Sequence, residues 1–263
     1  MKEIYESCLT VLLSTCLAFT WNLPAFGAGA DTQVREPCMD RDEIGKYAEE
    51  VAGRIPEYEI CGKELIRLLA DDVRPGEMRN TGIIFDTADE AVSFGRYFYR
   101  YVYLGKERIQ LAAGKTGESS CVYVQCDNPV KAAKQHRQVE ARLWETAAAA
   151  AEMEEQEKAL FFYEWVYDHV EYDTEFRNKT VYDAVMEGSS VCWGYVSAYL
   201  TLCRMSGLNC EPVYSGDHAW NRVWIEGRWN YCDITWDKGQ GERRRKLMSE
   251  EEMEADPAHR RTG

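Results

Sequence analysis

Apolar residues recur along this chain at spacings that predict helices and strands in succession. Arg41 to Ile55 carries Ile44, Ala48, Val51 and Ile55 at helical spacing, and Lys63 to Val73 predicts a second short helix. Ile83 to Phe85 reads as a strand, and Thr87 with Glu90 makes a capping box for a helix beginning in DEAVSF. Tyr97 to Leu104 is crowded with aromatic rings and fits helix or strand; the rings suit core or sheet packing better than a ligand platform. Ser119 to Cys126 alternates and is rich in β-branched residues, which predicts a strand. From Pro129 to Asp173 there is no glycine and no further proline, so the region reads as helix nearly throughout. A compact domain does not use a single helix of that length, and a break is expected near Glu152 to Gln156. The second helix carries the apolar stripe Phe162, Trp165, Val166 and Val170, and Tyr172-Asp173 is expected to close it. His169 on that helix is expected to face solvent or to be satisfied locally.

The next run, GSSVCWGYVSAYLTLC, places Cys192 behind a small polar turn, with Val196, Tyr199 and Cys203 following on one helical face. Ser189 or Ser190 is expected to cap this helix, and Gly207 to stop it. Cys210 to Tyr214 then reads as a short strand, followed by DHAWNRVWIEGRWNYCDITWD. Glu226-Gly227 lies between two alternating runs and predicts a two-residue hairpin turn. If Ile225 pairs with Arg228, then Trp220 faces Asp233, and His218 and Asp233 become diagonal neighbours on one face, about 7 to 8 Å apart at Cα. Trp224, Trp229 and Tyr231 share that face, and packing it over the Cys192 helix would bring sulfur to imidazole.

Composition adds bounds. With 263 residues, 45% of them apolar, the chain has material for one good core or two small ones. Leu9 to Trp21 is almost wholly apolar, and Ala28-Gly29-Ala30 follows as a small-residue cleavage signal. Residues 1–30 therefore read as a secretory signal peptide, although Glu3 and Glu6 offset Lys2 in its first region; a buried helix or an uncleaved anchor is the other reading. Removing them moves the formal charge from −14 to −13. So acidic a protein lacks the basic footprint for nucleic-acid or anionic-membrane binding, which leaves membrane association only to an N-terminal anchor. Arg243 to Lys246 is a short basic run expected on a solvated face. Eight of the ten cysteines follow residue 30; keeping Cys192 free leaves seven, so at most three disulfides form. Cys121 and Cys126 have opposite parity on their strand and are not expected to pair, and no Cys/His doublets complete a zinc pattern.

Cys192, His218 and Asp233 together supply what thiol chemistry requires. Amide dipoles at a helix start favour a thiolate, and thiols so placed beside a cation titrate between about 3.5 and 7.5 instead of about 8.5. An imidazole serves as base, and a carboxylate holds its ring and tautomer. The Cys192 N–H is a candidate oxyanion donor. Singly, each residue also has an inert reading: a small buried thiol, a core histidine, a strand-end cap.

The runs VCWGYVSAYLTLCRMSGLNC and DHAWNRVWIEGRWNYCDITWD closely resemble the transglutaminase-like superfamily of papain-related folds, in its secreted bacterial form. EWVYDHVEYD is similar to the helix preceding that core, and SEEEMEADPAH to a tail of bacterial members; the resemblance covers roughly residues 155 to 260. It implies an α+β fold with a catalytic cysteine at a helix N-terminus packed on an antiparallel sheet that carries His and Asp. Cys192 would be the nucleophile, His218 the base and Asp233 its orienter, in acyl transfer or hydrolysis on peptide or glutamine amides, with no metal and no cofactor. The partner would be a protein or peptide substrate at a cell surface or cell wall, and the protein would be secreted. The domain reading is residues 1–30 as signal peptide, 31–152 as an N-terminal helix and strand region, and 153–263 as the catalytic domain. The rival reading is a binding module on the same fold, with an unreactive Cys192.

Overall fold

The structure is a computed structural model that describes residues 32–34, 53–216, 218–256 and 259. The apolar Leu9–Trp21 run, the cleavage signal, Cys38 and the helical spacing from Ile44 to Val51 lie outside the described residues.

Strand β1 is Thr32–Val34. Helix α1 (Ile55–Asp71) begins earlier than its apolar spacing predicts, because Pro56 sits in its first turn, where a missing N–H costs nothing. Strand β2 (Arg79–Phe85) leads through the expected Thr87/Glu90 capping box into α2 (Ala88–Tyr97). The aromatic segment continues as one wide helical turn, Phe98–Val102, and becomes extended at Tyr103. It is thus helix first and extended chain afterwards, which is why neither pattern fitted the whole. Strands β3 (Ile109–Thr116) and β4 (Ser119–Cys126) complete an antiparallel sheet in the order β1-β3-β4-β2. Tyr58, Phe85, Phe94 and Tyr97 meet at 5.4 to 5.7 Å inside this first core, so these rings are packing elements.

Helix α3 (Pro129–Ala149) joins two cores: Ala132 and Ala133 belong to the first, while Val139, Leu143 and Ala147 belong to the second, which is built around the Cys192 helix. The helical region breaks at residues 150–154, and α4 (Glu155–His169) restarts with a Glu154/Glu157 capping box. α4 stops before Tyr172-Asp173, because Glu171–Tyr172 is recruited as β5, paired in parallel with β6 (Ser189–Ser190). Helix α5 (Cys192–Met205) lies against α4 and an antiparallel sheet of β7 (Cys210–Ser215), β8 (His218–Ile225) and β9 (Arg228–Cys232). The chain then forms α6 (Ile234–Gln240) and α7 (Glu250–Ala255). The fold is α+β, as expected, with the Cys192 helix packed on an antiparallel sheet.

The hairpin has the expected two-residue turn, with φ of +49° at Glu226 and +80° at Gly227, and the expected register from Ile225–Arg228 to Asn221–Cys232. Its orientation differs from expectation. The odd-numbered side chains of β8 face α5: Val223 is fully buried in the second core, and Asn221 donates to the Val196 carbonyl. The Trp220 face instead packs, with Tyr231, against Met248 and Met253 of the C-terminal strap. Alternating aromatics mark a face as apolar, but its opposite carries Ala219, Val223 and Ile225 and is the more apolar of the two. The basic run also departs from a solvated face: Arg245 is buried, pairing with Asp237 at 2.9 Å and Asp256 at 2.8 Å.

Candidate active site

Cys192 is the first residue of α5. The serines before it do not cap the helix, because β6 uses their backbone for pairing, and Ser190 Oγ donates to the Asn178 carbonyl. Val191 is the N-cap residue, with its N–H on the Asn178 carbonyl at 3.0 Å. A Cβ on Gly194 would lie 2.1 Å from Ser190 Oγ and 2.9 Å from the Thr180 carbonyl oxygen, so the helix start rests directly on this support. At the other end, Gly207 has φ +79° and closes a Schellman motif, with Leu208 N–H on Cys203 O and Gly207 N–H on Arg204 O.

His218 opens β8, and Asp233 lies one residue past β9, as the N-cap of α6 rather than on a strand. Asp233 is fully buried and fully engaged. Its Oδ1 accepts from the Trp236 backbone N–H at 2.9 Å, and its Oδ2 lies 2.6 Å from His218 Nε2 and 2.7 Å from His259 Nε2. Burial alone would raise the Asp233 carboxyl, but the His218 charge and hydrogen bond, together with that of His259, hold it far below the usual carboxylate range. An ionised carboxylate only accepts, so both imidazoles carry a proton on Nε2. Nδ1 of His218 is thereby left free of Asp233, and Cys192 is close enough for its sulfur to act on this ring. Burial pushes the His218 imidazole down; the Asp233 charge and hydrogen bond and the Cys192 sulfur outweigh it and hold the imidazole well above its ordinary value. Trp220 stacks on the His218 ring at 5.7 Å, and Trp236 meets it edge-on at 5.9 Å.

The structure therefore brings together all three residues singled out in the sequence and adds His259, which the sequence marks only as part of a tail. The weak signal available was scarcity, since the chain has four histidines. Of the other two, His136 is buried beneath Leu104, and the exposed His169 contacts its own helix at Trp165 O.

His218, Asp233 and His259 are also the group, among the described residues, whose donor atoms lie close enough to share a metal ion, within 4.8 Å. The 2.6 and 2.7 Å contacts are direct hydrogen bonds. Tetrahedral zinc ligands sit about 3.3 Å from one another, so an ion would have to separate the Asp233 carboxylate from both rings.

Residues 142–234 match the sequence family described as the transglutaminase-like superfamily. Kyphoscoliosis peptidase of Mus musculus is 32% identical over 97 residues, an alignment that takes in 28% of this chain and 15% of that protein. The Homo sapiens protein of the same name is 31% identical over 97 residues, with the same shares. The chain thus spans a small fraction of the length of these curated relatives. A crystal structure described as that of a TGase aligns with 48% of this chain and 44% of its own at 15% identity, with a TM-score of 0.32. Residues 142–234, which run from α3 across the Cys192 helix and the hairpin to the start of α6, are thus similar to the transglutaminase-like superfamily.

Proposed function

We propose that this protein is a cysteine-dependent acyl transferase or hydrolase acting on peptide or glutamine amides of a protein or peptide substrate. One observation carries the reading: His218 is held by Asp233 at 2.6 Å through Nε2, which leaves Nδ1 to serve the Cys192 thiol at the start of a helix. In this reading, Cys192 Sγ gives its proton to His218 Nδ1 and attacks the amide carbonyl. The Cys192 N–H, with no partner due to it inside the helix, donates to the developing oxyanion; one such donor is worth about 2.7 to 4 kcal/mol of barrier. His218 returns the proton to the departing nitrogen, a thioester remains on Cys192, and water or an amine releases the acyl group with His218 again as base. The relatives named as peptidases favour water as the acceptor. The apolar run at Leu9–Trp21 supports action outside the cytoplasm, on a cell-surface or cell-wall protein.

The test is the rate of Cys192 alkylation by iodoacetamide against pH, resolved by peptide mass, with the six other described thiols as internal controls. Wild type should react readily near pH 6, where an ordinary thiol is almost wholly protonated, and His218→Ala should lose about tenfold or more of that rate. Cys192→Ala and His218→Ala should remain folded and release neither ammonia nor new amino termini from an unfolded protein such as casein. Equal alkylation in wild type and His218→Ala, or full turnover by Cys192→Ala, would overturn the reading.

A further inference from the structure

His259 lies beyond the segment that matches the superfamily. It ends a strap that crosses the Trp220 face of the hairpin and is fastened at several points. Met248 and Tyr231 exchange backbone hydrogen bonds at 2.7 and 2.8 Å, Met253 packs with Val213 and Trp220, and Arg245 ties Asp256 to Asp237. The His259 side chain is wholly buried, edge-on to Trp220 at 4.8 Å, with Nε2 2.7 Å from Asp233 Oδ2.

We propose that His259 is a positioning residue for the Cys192 centre, its Nε2–H fixing Oδ2 of Asp233 and so setting the orientation and tautomer of His218. The proposal rests on the catalytic reading above. A short carboxylate can turn about two bonds, but here Trp236 N–H pins Oδ1 and His259 pins Oδ2, which leaves one lone-pair direction for His218. An apolar side chain would plug the same space more cheaply, since His259 Nδ1 is buried without a hydrogen-bond partner. What the imidazole adds is the Nε2–H. The ionisable groups around it are Asp233 and His218 on the Nε2 side and Asp256, 3.8 Å from Nδ1 and itself held by Arg245. Glu250 and Glu254 line the small cavity that His259 shares with Trp220.

The experiment uses the full chain, with iodoacetamide as the probe of Cys192 from about pH 5 to 9 and melting temperature as the check on folding. His259→Leu should alkylate about tenfold more slowly near pH 6, with the acid limb of the profile displaced upward. His259→Gln, whose amide Nε2–H reaches the same oxygen, should recover the rate to within about threefold of wild type. A purely structural role would lower the melting temperature in both variants and leave the pH profile in place. A folded His259→Leu with the wild-type profile, or a folded His259→Gln no better than Leu, overturns the proposal. Should His259→Leu not fold, long-range proton–nitrogen correlation spectra of the unmodified chain decide: the proposal requires the Nε2–H form at His259, and an Nδ1–H form overturns it. If wild type itself is indifferent to His218→Ala, the catalytic reading falls and this inference with it; if only the His259 variants are silent, this inference alone falls.

Discussion

Asp233 performs two tasks with two oxygens, and the distinction makes it testable by a substitution that conserves shape. Oδ1 caps α6 through the Trp236 N–H, while Oδ2 accepts from both imidazoles. In Asp233→Asn the carbonyl oxygen can still cap the helix, which turns the amide NH2 toward two Nε2–H groups. Donor then meets donor, and His218 is driven to the Nδ1–H tautomer, removing the lone pair that faces Cys192. The variant should fold, because the cap survives, but lose roughly 10³- to 10⁴-fold in turnover, as when a triad carboxylate becomes an amide. Asp233→Ala removes cap and acceptor together and should lower the melting temperature as well. Turnover in Asp233→Asn within tenfold of wild type would mean that the carboxylate is a helix cap and little more.

At the scale of elements, the site depends on where the N-terminus of α5 rests. Gly194 sits against Ser190 and the Thr180 carbonyl with no room for a methyl group. Gly194→Ala must lift the first turn off its support, at about 1–3 kcal/mol of overpacking, and carry Cys192 away from His218. Turnover should fall more than tenfold, well beyond what the drop in melting temperature explains, whereas Gly239→Ala, at a position with open space, should leave both unchanged. These supports also show what the sequence made legible. The strand at Ser119–Cys126, the Thr87/Glu90 box, the two-residue turn and the Ile225–Arg228 register are local patterns, and each was readable. The register alone placed His218 beside Asp233. Which hairpin face meets α5 was not readable, because Trp220, Trp224 and Trp229 mark one face while Val223 and Ile225 fill the other; the choice is settled by Met248 and Met253 arriving from the strap. Ser189 and Ser190 look like caps but become strand, because their partners, Glu171 and Tyr172, lie at a distance along the chain. His259 was hidden for the same reason: 26 residues separate it from the carboxylate it touches, with no periodic pattern between them.

For the whole molecule, His136, buried on α3, and the half-buried His218 should shape the dependence of stability on pH. His136 is buried, and its Nδ1 accepts from the Leu104 N–H at 3.2 Å, so the folded chain holds it neutral; burial, then Arg137, push it down to about 4. An unfolded histidine titrates near 6.5, so between about pH 6.5 and 4 the unfolded state binds a proton that the folded state refuses, and stability falls with pH across that window. The full difference is on the order of 3 kcal/mol, and below about pH 4 this contribution is constant. His218 has the opposite sign. Held above its ordinary value, it adds stability that is complete below about pH 6.5 and fades as the solution becomes more alkaline through its folded value. Asp233, held low, adds stability that is present above about pH 3.9 and lost only in stronger acid. Stability should therefore peak near neutrality and fall on the acid side through His136. His136→Asn, whose carbonyl oxygen can stand where Nδ1 accepts, should remove most of the loss between pH 6.5 and 4.5, measured as urea midpoints at the two values. His218→Ala should leave that acid slope and flatten the alkaline one. An acid slope unchanged in His136→Asn would mean that protons taken up elsewhere, and not the ring beneath Leu104, unfold the chain in acid.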